Sequence, residues 1–512
     1  MVIKILFLVV FFAITLGVGI YCRKTATDVN GFVLGGRSVG PWLTAFAYGT
    51  SYFSAVIFIG YAGQFGWKYG LASTWIGIGN AILGSLLAWV VLGRRTRIMT
   101  QMLGSATMPQ FFEKRYDSKA LKVISSAITF IFLIPYTASL FNGLSRLFES
   151  AFGIDYAYCV IAMSVLTGIY VIAGGYMATA INDFIQGIIM LVGIVAVIGA
   201  VLGSHGGFIG SLNELAKVPV PETAGPITAS GSFASMFGPD PVNLLGVVIL
   251  TSLGTWGLPQ MVQKFYAIKS EKAISRGTLI STFFAVIVAG GCYFLGGFAR
   301  ISGVEAINDV PIGGYDAVIP KMLEGLPTLL IAIVIVLVLS ASMSTLSSLV
   351  LTSSSTLTLD FIKGSFVKNM KEKKQLLIMR IFIVVFIVIS AMIAIYQVKS
   401  ESGAVAFIAQ LMGVSWGALA GAFLAPFLYG LYAKWASKAA TFACMIFGAG
   451  IMVANLLFRS SFPVILQSPI NCGAFAMFAS LIIFPIICLV SKKPSKETIE
   501  KSFTGIKERL ED

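Results

Sequence analysis

The segment SASMSTLSSLVLTSSS (340–355) is dense in serine and threonine, yet it directly continues the apolar run IAIVIVLVL (331–339). At 3.6 residues per helical turn, Ala341, Ser344, Thr345 and Ser348 share one face, with Ser347 beside them. That face aims several neutral oxygens in one direction. A small, hard cation such as sodium prefers hydroxyl, carbonyl and carboxylate oxygen over nitrogen or sulfur, so the chemistry open to the face is cation coordination. Hydroxyls in a membrane helix also bond back to the carbonyl four residues earlier or join one helix to another. Alone, the stretch is compatible with both uses.

Asp183, in GGYMATAINDFIQGIIMLVG (174–193), is the second residue of interest. It has no Lys or Arg close in sequence. A carboxylate inside an apolar span is costly and marks a functional position. The structural alternative is a helix-start carboxylate that, with Asn182, stabilises the N-terminus of the span. Other chemistry is absent from the pattern. The six cysteines (22, 159, 292, 444, 472 and 488) have no metal-ligand spacing, and the single histidine, His205, sits in a Gly-rich stretch. With no triad, metal cluster or phosphate loop, the sequence predicts no enzyme.

Two apolar runs are interrupted, at Gly49-Thr50-Ser51-Tyr52 and at Gly254-Thr255-Trp256-Gly257-Leu258-Pro259. Gly and Pro weaken a helix and release backbone carbonyls. At membrane depth such backbone is tolerated only where protein or a wet cavity surrounds it. These breaks could supply the carbonyl oxygens that a hydroxyl face alone lacks.

The elements that must position these groups are membrane helices. Of 512 residues 57% are hydrophobic and 11% charged, too apolar for a water-soluble globule. Apolar runs of about 20 residues, one bilayer crossing each, recur thirteen times between residues 3 and 490. The first, 3–21, lacks a cleavage site before Arg23 and Lys24 and is predicted to stay as a membrane helix. If residue 1 starts outside, the inner segments hold 28 of the 36 Lys and Arg. This is the positive-inside bias, with the N-terminus outside and the C-terminus cytoplasmic. The net charge of +14 therefore reports orientation in a cell membrane, and no nucleic-acid partner is predicted.

Setting the first span aside, the two breaks fall in the first helix of each of two five-helix groups. An odd number of helices makes the groups inverted, the arrangement of transporters that bind at the midplane between discontinuous helices. The predicted fold is an all-α polytopic membrane protein of about 13 transmembrane helices, with a 5+5 inverted repeat and flanking helices. Its divisions are 1–40 (first helix and cytoplasmic loop), 41–203 (repeat 1), 204–239 (extracellular loop), 240–431 (repeat 2), 432–490 (two C-terminal helices) and 491–512 (cytoplasmic tail). The loop 300–324, with Glu305, Asp309 and Asp316, reads as a lid or spacer.

The segments FVLGGRSVG (32–40), YGTSYFSAVIFIGYAG (48–63), GGYMATAINDFIQG (174–187) and SASMSTLSSLVLTSSS (340–355) together resemble the sodium/solute symporter family over nearly the whole chain. The resemblance implies the LeuT-type fold and alternating access driven by sodium. It also implies a principal sodium site of the Thr50 and Phe53 carbonyls with Ala341, Ser344 and Thr345. For some members it implies a second sodium, here matched by Asp183, Ser344, Ser347 and Ser348. The stretch YTASLFNGLSRLFESAFG (136–153) resembles the sodium/proline symporters. Tyr52 followed by Ser54, and the run Gly257-Leu258-Pro259, resemble the sodium/pantothenate symporters. Where the proline symporters carry an aspartate and a tryptophan, this chain has Tyr52 and Thr251.

The substrate positions so implied are Tyr52, Ser54, Tyr136, Thr255, Trp256, Pro259 and Trp416. The expected activity is sodium-coupled uptake of a small organic solute: an amino acid such as proline, pantothenate or another carboxylate, or a sugar. A proton-coupled or uncoupled carrier on the same scaffold, and a membrane sensor, are the alternatives. The expected partners are sodium, the solute and the bilayer, with the protein a monomer or weak oligomer.

Overall fold

The computed structural model describes residues 2–506, apart from 364, 365, 368 and 400–407. The start of the predicted eleventh span (403–407) and the tail beyond 506 lie outside the described residues. Among those described, ten helices are long and apolar enough to cross a membrane, and the pair Pro241–Gly257 and Pro259–Ala267, bent by 47°, makes an eleventh. Two of the ten, Val56–Met102 and Tyr156–Ser204, run to 47 and 49 residues, about twice the roughly 20 that one crossing needs. Each holds two crossings, so the thirteen predicted from apolar runs are all present.

In chain order these are α1 (Val2–Tyr21), α2 in halves α2a (Pro41–Tyr52) and α2b (56–69), α3 (74–102), α4 (Lys119–Phe152), α5 (156–174) and α6 (176–204). Then come α7 in halves α7a (Pro241–Leu253) and α7b (Pro259–Ala267), α8 (Glu271–Gly296), α9 (Thr328–Ile362), α10 (Glu372–Lys399), α11 (Ile408–Tyr432), α12 (Lys438–Leu457) and α13 (Pro469–Val490). Gly175 divides α5 from α6 with φ 54° and ψ −144°. A side chain is strained there on two counts, since a β-carbon would also stand 2.8 Å from the Phe32 carbonyl oxygen.

The two predicted breaks have matching geometry. Phe53 leaves α2a at φ −85°, ψ 106°, and Leu258 leaves the 3-10 turn Gly254–Gly257 at φ −84°, ψ 120°. Leu258 is pushed out of helical geometry by the ring of Pro259, which then opens α7b, where a missing N–H costs nothing. At α2 no proline acts. The chain re-enters helix through a wide π-turn, Val56–Tyr61.

At the end of the molecule where α2a begins, the approach to α2 is strapped to the exit of α7b. Val39 and Ile268 form a parallel bridge, with Val39 N–H on the Ala267 carbonyl (3.2 Å) and Lys269 N–H on the Val39 carbonyl (2.9 Å). The Arg37 guanidinium donates to the carbonyls of Tyr266, Thr100 and Ser105, adding α3 to the knot. Burial, with the nearby Arg97 charge, pulls the Arg37 guanidinium down to about 10. At the opposite end a hairpin, β1 (Ala306–Ile307) and β2 (Val310–Pro311), carries Asp309. Its carboxylate takes Arg300 Nη1 at 2.9 Å, and its carbonyl takes the Trp67 indole N–H at 3.0 Å. The acidic loop read as a lid or spacer thus tethers the top of α2b.

Candidate ion and solute site

The break in α2 turns the Thr50 carbonyl toward α9. It accepts from Ser344 Oγ at 3.2 Å and from Thr345 Oγ1 at 3.1 Å, and the same hydroxyls reach the Ala341 carbonyl at 3.3 and 3.2 Å. Four of the five residues implied for the principal sodium position are joined by these contacts, and Phe53 is the extended residue of the break beside them. All are buried. Every atom in this set is a neutral oxygen, the donor chemistry that suits a hard monovalent cation. A sodium ion would take the lone pairs that the hydroxyl protons now engage.

One turn further along α9 the setting changes. Ser348 Oγ lies 2.8 Å from Ser51 Oγ and accepts from Lys264 Nζ at 2.9 Å. Lys264 Nζ is 3.8 Å from Asp183 Oδ2 and 5.3 Å from the centre of the Tyr176 ring. The side chains of Lys264 and Asp183 are 3% and 0% exposed. Lys264 counts with the cytoplasmic segment 264–276 when the sequence is read for charge. The structure corrects this, because its ammonium lies inside the protein among groups matched to a second sodium. Ser347 turns its hydroxyl to the Ser344 carbonyl at 2.9 Å, close to Tyr170. The hydropathy reading ends a span at the first charge, and α7b, short and polar, offers little contrary signal.

The implied substrate residues gather beside the breaks. Tyr52 stacks on Trp416 with ring centres 6.0 Å apart, and Tyr136 meets Trp416 edge-on at 5.9 Å. Tyr52 donates its hydroxyl to the Thr251 carbonyl, Thr255 to that of Gly84, and Trp256 its indole N–H to that of Leu83. Pro259 is structural in this conformation, as the first residue of α7b. The buried Tyr136 hydroxyl, Ser54 hydroxyl and Trp416 indole nitrogen lie near one another but make no well-formed hydrogen bond with protein, and the same holds for Tyr293 Oη and Asn80 Nδ2. Buried polar groups in folded proteins are almost always paired, so these atoms hold hydrogen-bonding capacity that no protein group uses. Tyr293 and Asn80 escaped sequence reasoning, since neither interrupts the apolar pattern of its span.

Above the cluster, Tyr61, Phe65 and Tyr69 form a column on α2b, with ring centres 4.9 and 6.0 Å apart. Phe65 and Tyr69 also floor a cavity of about 750 Å3, lined with Gln64, Lys68, Asp240, Asn243 and Gln410, at the end that bears the long loops. Tyr61 at the other end of the column lies near Tyr136, so the aromatic column connects this polar cavity with the Tyr136–Trp416 cluster.

A broken-helix pair, an oxygen-rich junction between α2 and α9 and a polar cavity within thirteen crossings are the features of a secondary transporter of the membrane. The Sodium:solute symporter family model matches residues 32–448, and the chain belongs to that family. It is 31% identical over 459 residues to sodium/proline symporter 2 of Staphylococcus saprophyticus, covering 87% of this chain and 84% of that protein. It is 31% identical over 455 residues to the sodium/proline symporter of Staphylococcus aureus, with the same coverage. Among solved structures, a Na+-coupled sialic acid symporter in its substrate-bound outward-open state superposes with a TM-score of 0.74 at 17% identity, over 96% of this chain and 99% of that one. Mhp1, a nucleobase-cation-symport-1 family transporter, gives 0.52 at 14% identity, over 92% and 97%. The fold is thus the LeuT type, and the protein is a sodium-coupled symporter of a small solute rather than an enzyme.

Proposed function

We propose that the chain imports a small amino acid or similar carboxylate together with sodium bound by the Thr50, Phe53 and Ala341 carbonyls and the Ser344 and Thr345 hydroxyls. The observation that carries the reading is the meeting of both hydroxyls on the Thr50 carbonyl, which joins the break in α2 to α9. Sodium there strengthens a bridge between the two repeats, and rocking toward the inside breaks it.

The solute occupies the cluster of Tyr52, Ser54, Tyr136, Thr255, Trp256, Pro259 and Trp416. Aromatic faces take its apolar body, and backbone N–H groups at the breaks can hold a carboxylate, as helix starts do. Its neutral, hydroxyl-lined surroundings and the named proline symporter relatives support a zwitterion of proline size. The N-terminus lies outside and the C-terminus in the cytoplasm of a cell membrane, as the distribution of Lys and Arg indicates. Each chain carries both the ion position and the solute cluster, consistent with a monomer or weak oligomer. The division 41–203 and 240–431 into inverted repeats is supported by the paired breaks at Phe53 and Leu258.

The test is thermal stability of purified protein in sodium against potassium, with proline, pantothenate, sialic acid and glucose, since a ligand of the native state raises the melting temperature by mass action. Uptake into proteoliposomes under an imposed sodium gradient follows for the solute that stabilises. Stabilisation by proline only when sodium is present is the expected result. A solute taken up equally well in potassium overturns the assignment of the ion site.

A further inference from the structure

We propose that the Lys264 ammonium is a built-in cation that holds the Asp183–Ser348–Ser51 position against sodium, so that this chain binds one sodium ion and gains a second when the Lys264 charge is removed. The inference rests on the sodium reading of the Thr50–Thr345 site and adds a determinant of stoichiometry to it.

Four helices meet at this position, and each contributes one group: Asp183 from α6, Lys264 from α7b, Ser348 from α9 and Ser51 from α2a. Both carboxylate oxygens of Asp183 are buried and make no hydrogen bond with protein. A buried carboxylate needs a counter-charge, and the ammonium at 3.8 Å is the cation that the structure supplies. That distance is too long for a hydrogen bond. The lysine is anchored instead by the Ser348 hydroxyl at 2.9 Å, which in turn touches Ser51 at 2.8 Å.

Without the ammonium, the remaining groups are a carboxylate and two hydroxyls, a donor set for a hard cation. A cation on these oxygens, at roughly the 2.3–2.6 Å typical of hard ions, would lie next to Nζ and meet like charge in a medium that screens poorly. Occupancy by lysine and by sodium therefore exclude one another. The tethered charge also spans the same divide as the first site, joining α2a and α6 of the first repeat to α7b and α9 of the second.

The experiment is equilibrium binding of 22Na+ to the purified full-length protein in lipid nanodiscs, counted per folded molecule. Wild type and Lys264→Arg are expected to bind one ion, Lys264→Gln two, and the double variant Lys264→Gln with Asp183→Asn one again. Thr345→Ala in the Lys264→Gln background is expected to remove one of the two, separating the sites. Two ions in wild type, or one in a Lys264→Gln protein that elutes as a single folded species, overturns the inference while leaving the first site standing. No binding to any variant overturns both readings. Should Lys264→Gln fail to fold, Lys264→Met, with a flexible neutral chain, serves the same comparison.

Discussion

The Thr50 carbonyl takes two hydroxyls because Phe53 leaves the helix, and the value of those hydroxyls to a bound ion can be read one residue at a time. Polar contacts to a charged partner are worth about 1.5–3 kcal/mol each, roughly ten- to a hundredfold in affinity. Thr345→Ala and Ser344→Ala are each expected to raise the sodium concentration for half-maximal thermal stabilisation by that factor. Ser342→Ala is expected to leave it unchanged, because Ser342 Oγ is spent on the Val338 carbonyl at 2.9 Å. Equal effects at all three positions would mean that the variants act on helix stability rather than on the ion. Ser344 and Thr345 were legible in the sequence because helical periodicity alone puts them on one face. Lys264 was not, since its partners Asp183 and Ser348 are brought to it only by tertiary packing.

A different residue-scale contact fixes the C-terminal end of α9. Asp360 accepts from Thr107 Oγ1 at 2.6 Å and from Gln110 Nε2 at 2.8 Å, with Asp360 and Thr107 buried and Gln110 half-buried. Asp360→Ala leaves both donors without their acceptor, which costs about 1–3 kcal/mol for each such group left unpaired. The variant is expected to melt at a lower temperature with the sodium half-saturation intact. A changed sodium response would instead place Asp360 in the transport cycle.

At the scale of elements, the breaks and the corner between α5 and α6 carry the architecture. The Gly-Pro pattern made the α7 break readable, and the polar, glycine-bearing run Gly49-Thr50-Ser51-Tyr52 inside an apolar span marked the one in α2. The exact bend positions depend on packing. The π-turn at Val56–Tyr61 follows from no local propensity, whereas the corner between α5 and α6 falls where the apolar runs 155–174 and 180–203 part, and packing decides that Gly175 rather than Gly174 takes the left-handed turn. Gly175→Ala combines a strained backbone, about 1–3 kcal/mol, with a clash against Phe32. It is expected to lower the melting temperature, whereas Gly199→Ala on α6, where a β-carbon meets nothing within 4 Å, is expected to be neutral. Similar losses at both glycines would remove the special role of the corner. Gly257 sits at another close approach, where a β-carbon would stand 2.9 Å from the Ala420 Cα of α11. The break in α7 therefore also depends on how tightly α11 packs on it.

For the molecule as a whole, composition made the membrane class plain and apolar length made the number of crossings plain. The conformation was not legible, because two states of one sequence share the same pattern. In this structure the polar cavity lies at the loop-bearing end, and the opposite end is strapped through Arg37, Val39 and Ile268. Asn243 lines that cavity on α7a. The six native cysteines are all buried, so a thiol at position 243 provides the signal for a membrane-impermeant maleimide added from outside. With the proposed orientation, Asn243→Cys reacts readily in sodium alone, where the outward-facing state is favoured. Adding a transported solute closes the aromatic column of Tyr61, Phe65 and Tyr69 and draws the population away from that state, so labelling slows. Coupling is reciprocal in binding free energy, typically 5–150-fold between two sites. The same solute must then lower the sodium concentration for half-maximal thermal stabilisation by the factor by which sodium lowers the solute concentration that half-slows labelling. Unequal factors at equilibrium would show that the label reports a motion other than the one that couples the two ligands.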